Sequence, residues 1–420
     1  MNSFKPIPTV AINLKKRADR KAHITKAFEG RPEFRLTIID AIEDSIGAKG
    51  LWLTLQHIIR TYTTDTEYLI ICEDDHQFTE HYSFPLLTTA IHDAVSNHAD
   101  VLCGGASWFN SAIQLSQHSY WTEKYTGLQF TVIFKKFYEK ILHTPFYDND
   151  AADLKISSLT DKKLFIHPFI SIQKEFGYSD VTAKNNAAGR VDELFKTSEA
   201  NVTTLKNIAG YYSTHQKTLT QDEISLEGIY ITTYIVKTTS GDIDQYIDRH
   251  FSDKPELVPI VIHSDDKHPS HLLSSATVLK NIMTAAIATE DDAIIICDEY
   301  HQFSPAYSGG YLIRNILEAY HQGADILFGG GTDFGLVVPI SEHRFWVGSV
   351  NHPQFTIIFK AAFSKILAYL NDATSPENDI LSAFSSNKMV LCPFVSMTSP
   401  TTEKRLLIIR EHAGYAENSH

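Results

Sequence analysis

The chain is expected to fold as α/β, in two tandem Rossmann-like domains, each a mostly parallel sheet flanked by helices. Three observations predict this. Short apolar runs alternate with segments whose apolar residues recur at helical spacing, the pattern of βαβ units. The run Tyr68-Leu69-Ile70-Ile71-Cys72 ends abruptly in Glu73-Asp74-Asp75, as a buried parallel strand does on reaching the ligand-binding edge of an open sheet. The pattern also occurs twice. Cys297, inside Ile294-Ile295-Ile296-Cys297-Asp298-Glu299-Tyr300, lies 297 − 72 = 225 residues after Cys72. The same offset carries Ala99-Asp100 onto Ala324-Asp325, Gly104-Gly105 onto Gly329-Gly330, Gln129-Phe130-Thr131 onto Gln354-Phe355-Thr356, and Pro168-Phe169 onto Pro393-Phe394. A period of this length reads as a domain duplication, not a solenoid repeat. The copies are set at 1–215 and 225–420, each of ordinary domain size.

Taken in order, Thr9–Ile12 is a first strand and Ala18–Phe28 a helix that stops before Gly30-Arg31-Pro32. Phe34–Ile39 is a second strand, ending in Asp40-Ala41-Ile42-Glu43-Asp44, and Leu51–Thr61 has helical spacing. The acidic strand end follows, then a helix around Pro85–Ser96 and a strand Asp100–Cys103 closed by Gly104-Gly105. Gln129–Phe134 reads as a strand running into a short amphipathic helix, with Asp148, Asp150 and Asp153 beyond it. Leu164–Gln173 reads as one strand containing a proline, and Lys184–Lys206 as a polar, extended tail. Ser213–Ser225 is the expected linker, and Gly228–Val236 the first strand of the second copy.

The composition, 43% hydrophobic and 21% charged, is that of an ordinary globular protein. A net charge of −13 argues against nonspecific binding of nucleic acid. The four cysteines have no CxxC spacing and read as reduced core residues, and most of the histidines as surface or capping residues. Met1–Pro8 lacks the apolar core of a signal peptide, and no apolar stretch nears the ~18 residues of a membrane span. The expectation is a cytoplasmic protein without a transmembrane segment.

Three adjacent carboxylates repel one another, so Glu73-Asp74-Asp75 calls for a counterion; hard oxygen ligands suit Mg²⁺ or Mn²⁺, which in turn hold phosphates. The other reading is a solvated acidic turn. Arg17 and Arg20 share one helix face and suit a diphosphate, or are simply an exposed basic face. Asn13, at a strand end, suits a base or ribose, or caps a helix.

In this order, Ile12-Asn13-Leu14 with Arg17 and Arg20, then Asp40-Ala41, Glu73-Asp74-Asp75, Gly127–Leu142, Asp148–Asp153 and His167-Pro168-Phe169 to Gln173, the first half resembles the family 25 glycosyltransferases of lipopolysaccharide biosynthesis and collagen modification. The likeness spans about residues 9–182. The family's Gly-Cys…Ser-His stretch is not matched by Gly50-Leu51-Trp52-Leu53-Thr54-Leu55-Gln56-His57. The resemblance implies a GT-A fold, a nucleotide-sugar donor (a UDP-sugar), Mn²⁺ or Mg²⁺, and a glycan or lipid-linked saccharide acceptor. It implies Asp75 as metal ligand, Glu73 as a second, and Asn13, Arg17, Arg20, Asp40 and Asp74 as donor contacts.

For an inverting transfer one base must take the acceptor's proton. Asp153 is the favoured candidate, with repeat partner Asp379, and Asp150 the runner-up; helix N-capping is the alternative role for both. Trp108, Trp121 and Tyr178 are candidates for stacking on a sugar. In the second copy Tyr300 stands where Asp75 does, and tyrosine is a poor ligand for these cations at neutral pH. That copy reads as noncatalytic, serving to dimerise, to hold the acceptor or to brace its neighbour. The competing readings are a noncatalytic glycan- or nucleotide-sugar-binding pseudoenzyme and a nucleotidyltransferase. The absence of a Gly-rich phosphate loop near the first strand weighs against the latter.

Overall fold

The computed structural model describes residues 5–62, 67–178, 187–215, 228–238, 242–264, 275–372, 380–397 and 400–415. The chain divides into two compact units, Met1–Lys206 and Asn207–His420.

The first unit opens with β1 (Ile7–Asn13), α1 (Ala18–Phe28), β2 (Phe34–Asp40), α2 (Gly47–Thr61), β3 (Tyr68–Glu73), β4 (His76–Phe78), α3 (Phe84–Ser96) and β5 (Val101–Cys103). It continues with β6 (Trp108–Phe109), β7 (Ala112–Gln114), β8 (Ser119–Thr122), β9 (Tyr125–Thr126), β10 (Phe130–Phe134), α4 (Tyr138–Leu142), α5 (Ala152–Leu159), β11 (Lys163–Ile166), β12 (Ser171–Gln173) and most of α6 (Arg190–Thr214), the helix in which the division between the units falls. Its main sheet has the order β2-β1-β3-β10-β5-β11-β8-β7. β2, β1 and β3 are parallel neighbours, as are β5 and β11, while β10 and β8 run against their neighbours. The sheet is therefore mixed, with the parallel strands setting its main direction. β3 lies at its centre, and Leu69–Cys72 are buried, which is why the run is apolar at every position instead of alternating.

Two sequence expectations need correcting here. Leu164–Gln173 is not one strand: β11 stays in the main sheet, while β12 pairs with β4 in a separate ribbon. Pro168 has no N–H to give a ladder, and the chain turns beneath β5, where Ile170 N and Ser171 N both donate to Gly104 O. That approach is so close that a Cβ on Gly105 would lie 2.3 Å from Ser171 O. Lys184–Lys206 is not an extended tail, since α6 begins at Arg190; it buries Val191, Phe195, Val202 and Leu205 along one stripe. Of the expected linker, Ser213 and Thr214 belong to α6, and 216–225 lie outside the described residues.

The second unit holds β13 (Ile231–Lys237), α7 (Ile243–Phe251), β14 (Leu257–His263), α8 (Ala276–Ala288), β15 (Ala293–Asp298), α9 (Gly309–His321) and β16 (Ile326–Phe328). Then come β17 (Val337–Pro339), β18 (Arg344–Val347), β19 (Thr356–Phe359), α10 (Lys360–Asp372), α11 (Ile380–Phe384), β20 (Lys388–Leu391) and α12 (Pro400–His412). Its sheet order, β14-β13-β15-β19-β16-β20-β18-β17, matches the first strand for strand. Side-chain bonds recur too. His76 Nδ1 meets Ser171 Oγ at 2.7 Å and His301 Nδ1 meets Ser396 Oγ at 2.9 Å; Trp121 Nε1 donates to Asp161 O and Trp346 Nε1 to Ser386 O. Both histidines are buried core groups, not surface ones, and burial pushes each down to about 3, so they stay neutral. All four cysteines are buried and none forms a disulfide. Among the described residues no helix is long and apolar enough to cross a membrane.

Candidate functional site

The C-terminal ends of β1, β2, β3 and β5, together with the start of the reversed strand β10, surround a cavity of about 750 Å³ in the first unit. Arg17, Arg20, Glu73, Asp74, Asp75 and Asp153 all line it. The register explains the gathering. Glu73 ends β3 opposite Ile12 of β1, so the acids emerge beside the loop that leads into α1 and carries Arg17. One turn into α1, Arg20 faces the same way.

Arg20 is only 4% exposed. Its Nη1 lies 3.1 Å from Asp74 Oδ1 and 3.2 Å from Asp75 Oδ2, and Nη2 donates to Tyr178 O at 2.6 Å. Arg17 Nη1 is 3.8 Å from Asp74 Oδ2. The rings of Phe176 and Tyr178 sit 4.7 and 4.6 Å from the Arg20 guanidinium carbon. The counterion that three adjacent acids require is therefore supplied in large part by the chain itself, and the triplet is not a solvated turn.

The carboxyl groups remain hard to ionise. Burial, then the charges of Asp75, Asp153 and Asp74, push Glu73 well above its usual range. Burial and Asp74 raise Asp75 to about 7 against the pull of Arg20 and Arg17. Asp74 is raised by burial against Arg20, and Asp153 by burial against the N–H groups of Leu154 and Gly127. Arg20 is drawn down by burial, but Asp75 and Asp74 outweigh that and hold it above its ordinary value.

The sign for stability follows. A carboxyl raised to about 7 in the folded chain, against about 3.9 unfolded, subtracts stability as pH rises through that window and by a constant amount above it. Asp75→Asn should therefore raise the melting temperature of the first unit more at pH 8 than at pH 5, as thermal melts at both values would read. A larger gain at pH 5 would contradict the assignment.

Among the described residues no group of three or more His, Cys, Asp or Glu side chains is placed to hold a metal ion. Glu73 and Asp75 offer two carboxylates, and Asp75 Oδ1 is buried without a hydrogen-bond partner. This donor set fits a hard cation that takes its other ligands from a diphosphate and water, not a closed protein cage.

Of the residues singled out from the sequence, Asn13, Asp40, Asp150 and Trp121 do not line the cavity. Asn13 is buried and turns back, its Nδ2 donating to Leu14 O at 2.8 Å; it does not cap α1, whose N-cap is Arg17. Asp40 ends β2 exposed to solvent, while the next residues, Ala41–Ser45, form the wall. Asp150 is held in an ion pair with Lys155 Nζ at 2.7 Å and accepts from Tyr147 N. Trp121 is core. Trp108 and Tyr178 do reach the cavity. Asp153 does not cap α5, whose N-cap is Ala151; its Oδ1 accepts from Leu154 N and its Oδ2 from Gly127 N, and the residue lines the cavity. Its repeat partner Asp379 lies outside the described residues.

Sequence reasoning gave no role to the segment Lys174–Phe176, which closes the cavity over the arginines. A signal was present. Both copies end in Ala-Gly-Tyr, and Ala413 follows Ala209 by 413 − 209 = 204 residues, not 225. The same shortened offset relates Glu199 and Glu403, which accept from Phe169 N and Phe394 N. Between these landmarks the second unit is therefore shorter than the first by 225 − 204 = 21 residues, over the part of the chain that includes this segment.

The acidic strand end of the second unit is also rewired. Tyr300 N donates to Asp298 Oδ1, and Glu299 Oε1 accepts from Thr238 N at 2.8 Å. Tyr246 OH reaches His301 O at 2.8 Å as His23 Nε2 reaches His76 O at 2.9 Å, which aligns α7 with α1 and puts Ile243 where Arg20 stands. Both members of the Arg20–Asp75 pair are therefore replaced. Of the region Val236–Gly241, residues 239–241 lie outside the described residues.

No family model matches the chain, and no curated protein matches it in sequence. Among solved structures, A197 from STIV aligns with a TM-score of 0.26 and 15% identity, covering 40% of this chain and 86% of its own. An apo UDP-glucose pyrophosphorylase aligns at 0.28 and 9%, covering 45% and 82%. The glycosyltransferase GlyE of Streptococcus pneumoniae TIGR4 aligns at 0.24 and 8%, covering 74% and 90%. Similarities of this size carry no functional argument, which rests on the cavity.

Proposed function

We propose that the first unit is a metal-dependent glycosyltransferase that moves a sugar from a nucleotide-diphosphate sugar, a UDP-sugar by family 25 resemblance, to a hydroxyl of a saccharide acceptor with inversion. The second unit is a tandem copy without catalysis. One observation carries this reading: a buried and a half-buried arginine, three strand-end acids and a fourth carboxylate around one 750 Å³ cavity at the sheet's C-terminal edge, where open α/β sheets take their ligands.

In the reaction the C1–O bond to the diphosphate breaks as the acceptor oxygen bonds to C1. Asp153, made more basic by burial, takes the acceptor's proton. Arg17 and Arg20 hold the diphosphate and take up charge as it leaves. A divalent cation on Glu73 and Asp75 would add Lewis-acid neutralisation of that leaving group. Tyr178 and Phe176 fix Arg20 in place and keep water from it.

The test is thermal melting with UDP and Mn²⁺. The melting temperature is expected to rise, and Asp75→Asn to abolish the rise. No shift with any nucleoside diphosphate and metal would reject the reading. Release of pyrophosphate instead of nucleoside diphosphate during turnover would make the protein a nucleotidyltransferase. Binding with no release from any donor sugar would make it a pseudoenzyme.

A further inference from the structure

We propose that Trp108 is the platform of the acceptor subsite, and that the acceptor is a pyranose-containing saccharide lying with the apolar face of its ring on the indole. This rests on the transferase reading above and adds which end of the cavity takes the second substrate.

The strand order divides the cavity. Across its edge the elements run β2-β1-β3-β10-β5. The β1 and β2 side carries the arginines, and the acids of β3 stand in the middle. The β10 and β5 side contributes Ser107, Trp108, Thr126, Gly127 and, from α5, Asp153. One end is thus built for a diphosphate. The other offers an indole, two hydroxyls and a carboxylate.

Trp108 is 42% exposed, whereas Trp52, Trp121 and Trp346 are 1%, 1% and 5% exposed. It is nevertheless fixed. β6 pairs with β9 so that Trp108 lies opposite Thr126. Ser107 N donates to Thr126 O at 3.0 Å, and the Ser107 and Thr126 hydroxyls are 3.0 Å apart. The next residue, Gly127, has φ +112° and donates to Asp153 Oδ2 at 3.2 Å. A Cβ there would lie 2.8 Å from Gln129 Oε1. The indole and the candidate base are therefore held by one short piece of backbone.

An indole left facing a water-filled cavity gains by being covered, and a pyranose supplies a C–H face for that with hydroxyls at its rim. Ser107, Thr126 and Asp153 match such a rim, offering further hydrogen bonds that an acyl chain could not use. The fold does not require the aromatic ring. At the same register the second unit has Asp333, bridged to Asn351 and 3.7 Å from Arg405 Nη1.

The experiment is acrylamide quenching of tryptophan fluorescence in the full chain, with UDP and either methyl β-D-galactopyranoside or methyl β-D-glucopyranoside as probes. Trp108 dominates the quenchable signal because the other three indoles are buried. A glycoside is expected to lower the quenching constant of the wild type and not of Trp108→Ala, with the UDP-dependent melting shift equal in both. In turnover, Trp108→Ala should raise the acceptor KM by about tenfold or more, the scale of truncating a central aromatic anchor. The donor KM should stay unchanged, and Trp108→Phe should restore most of the loss. A UDP response without any glycoside protection, or a rise in donor KM instead, would overturn the subsite alone. Absence of the UDP response in the wild type would overturn the transferase reading and the subsite with it.

Discussion

Asp153→Asn is expected to lower turnover of a nucleotide-sugar donor by about 10²–10⁴-fold, the usual contribution of a positioned general base, while the UDP-dependent rise in melting temperature persists. The side chain lines the cavity close enough to Glu73 for its charge to raise that carboxyl, and its own hydrogen bonds run to Leu154 N and Gly127 N. Removing its charge therefore touches the proton acceptor and leaves the diphosphate end alone. The amide still offers one oxygen to Gly127 N or Leu154 N, so the loss of anchoring is limited to about 1 kcal/mol. Single-turnover rates with donor and acceptor, beside melting curves with UDP, separate the two effects. Full activity in the variant would remove Asp153 from the chemistry. Loss of the UDP shift together with activity would make it a structural residue.

Arg344→Met is expected to destabilise the second unit by about 3–5 kcal/mol, the scale for stranding one member of a buried ion pair. Arg344 is 1% exposed. It donates to Glu318 Oε2, to Asn315 Oδ1 at 2.6 Å and to Gln322 Oε1 at 3.4 and 3.2 Å. Burial pulls its pKa down and Glu318 opposes this without fully restoring it. Without the guanidinium, Glu318 keeps its buried position but loses this ion pair, and the amide oxygens of Asn315 and Gln322 lose this donor. The double variant Arg344→Met/Glu318→Leu should recover most of the loss, because apolar replacement of a whole buried pair is often neutral. The first unit shows the position can do without an ion pair: at that register Ser119 Oγ lies 3.3 Å from Asp93 Oδ2. Denaturant melts of both variants decide it, and equal losses in single and double variants would refute the account.

Strands were the most legible part of the fold. β1, β3, β5 and β10 are interior strands buried along most of their length, so each is mostly apolar, and the 225-residue offset reported the order of equivalent pieces. The break between β11 and β12 was hidden because both flanks of Pro168 are apolar, and only the tertiary turn beneath Gly104 separates them. α6 was misread because its outer faces are polar and Ser198 interrupts the stripe of Val191, Phe195, Val202 and Leu205. In the site, the acids and Arg20 were legible as residue types; that they pair with one another was not, since Arg20 lies 54 residues from Asp74 in the chain. Asp40 and Asp150 looked suitable by position, but strand register and a neighbouring lysine settle where they point.

The short segment from Lys174 to Tyr178 also sets how the site responds to ionic strength. Lys174 N bonds Asp75 O, and Phe176 and Tyr178 cover the Arg20 guanidinium. Mobile ions screen exposed charges over about 8 Å at physiological salt, but they act little on groups they cannot approach. A surface pair such as Lys16 and Glu43, 3.7 Å apart, weakens as salt is added. The pairing of Arg20 with Asp74 and Asp75 is screened far less, so added salt weakens the Lys16 and Glu43 part of the cavity wall well before it reaches the acids at the end of β3.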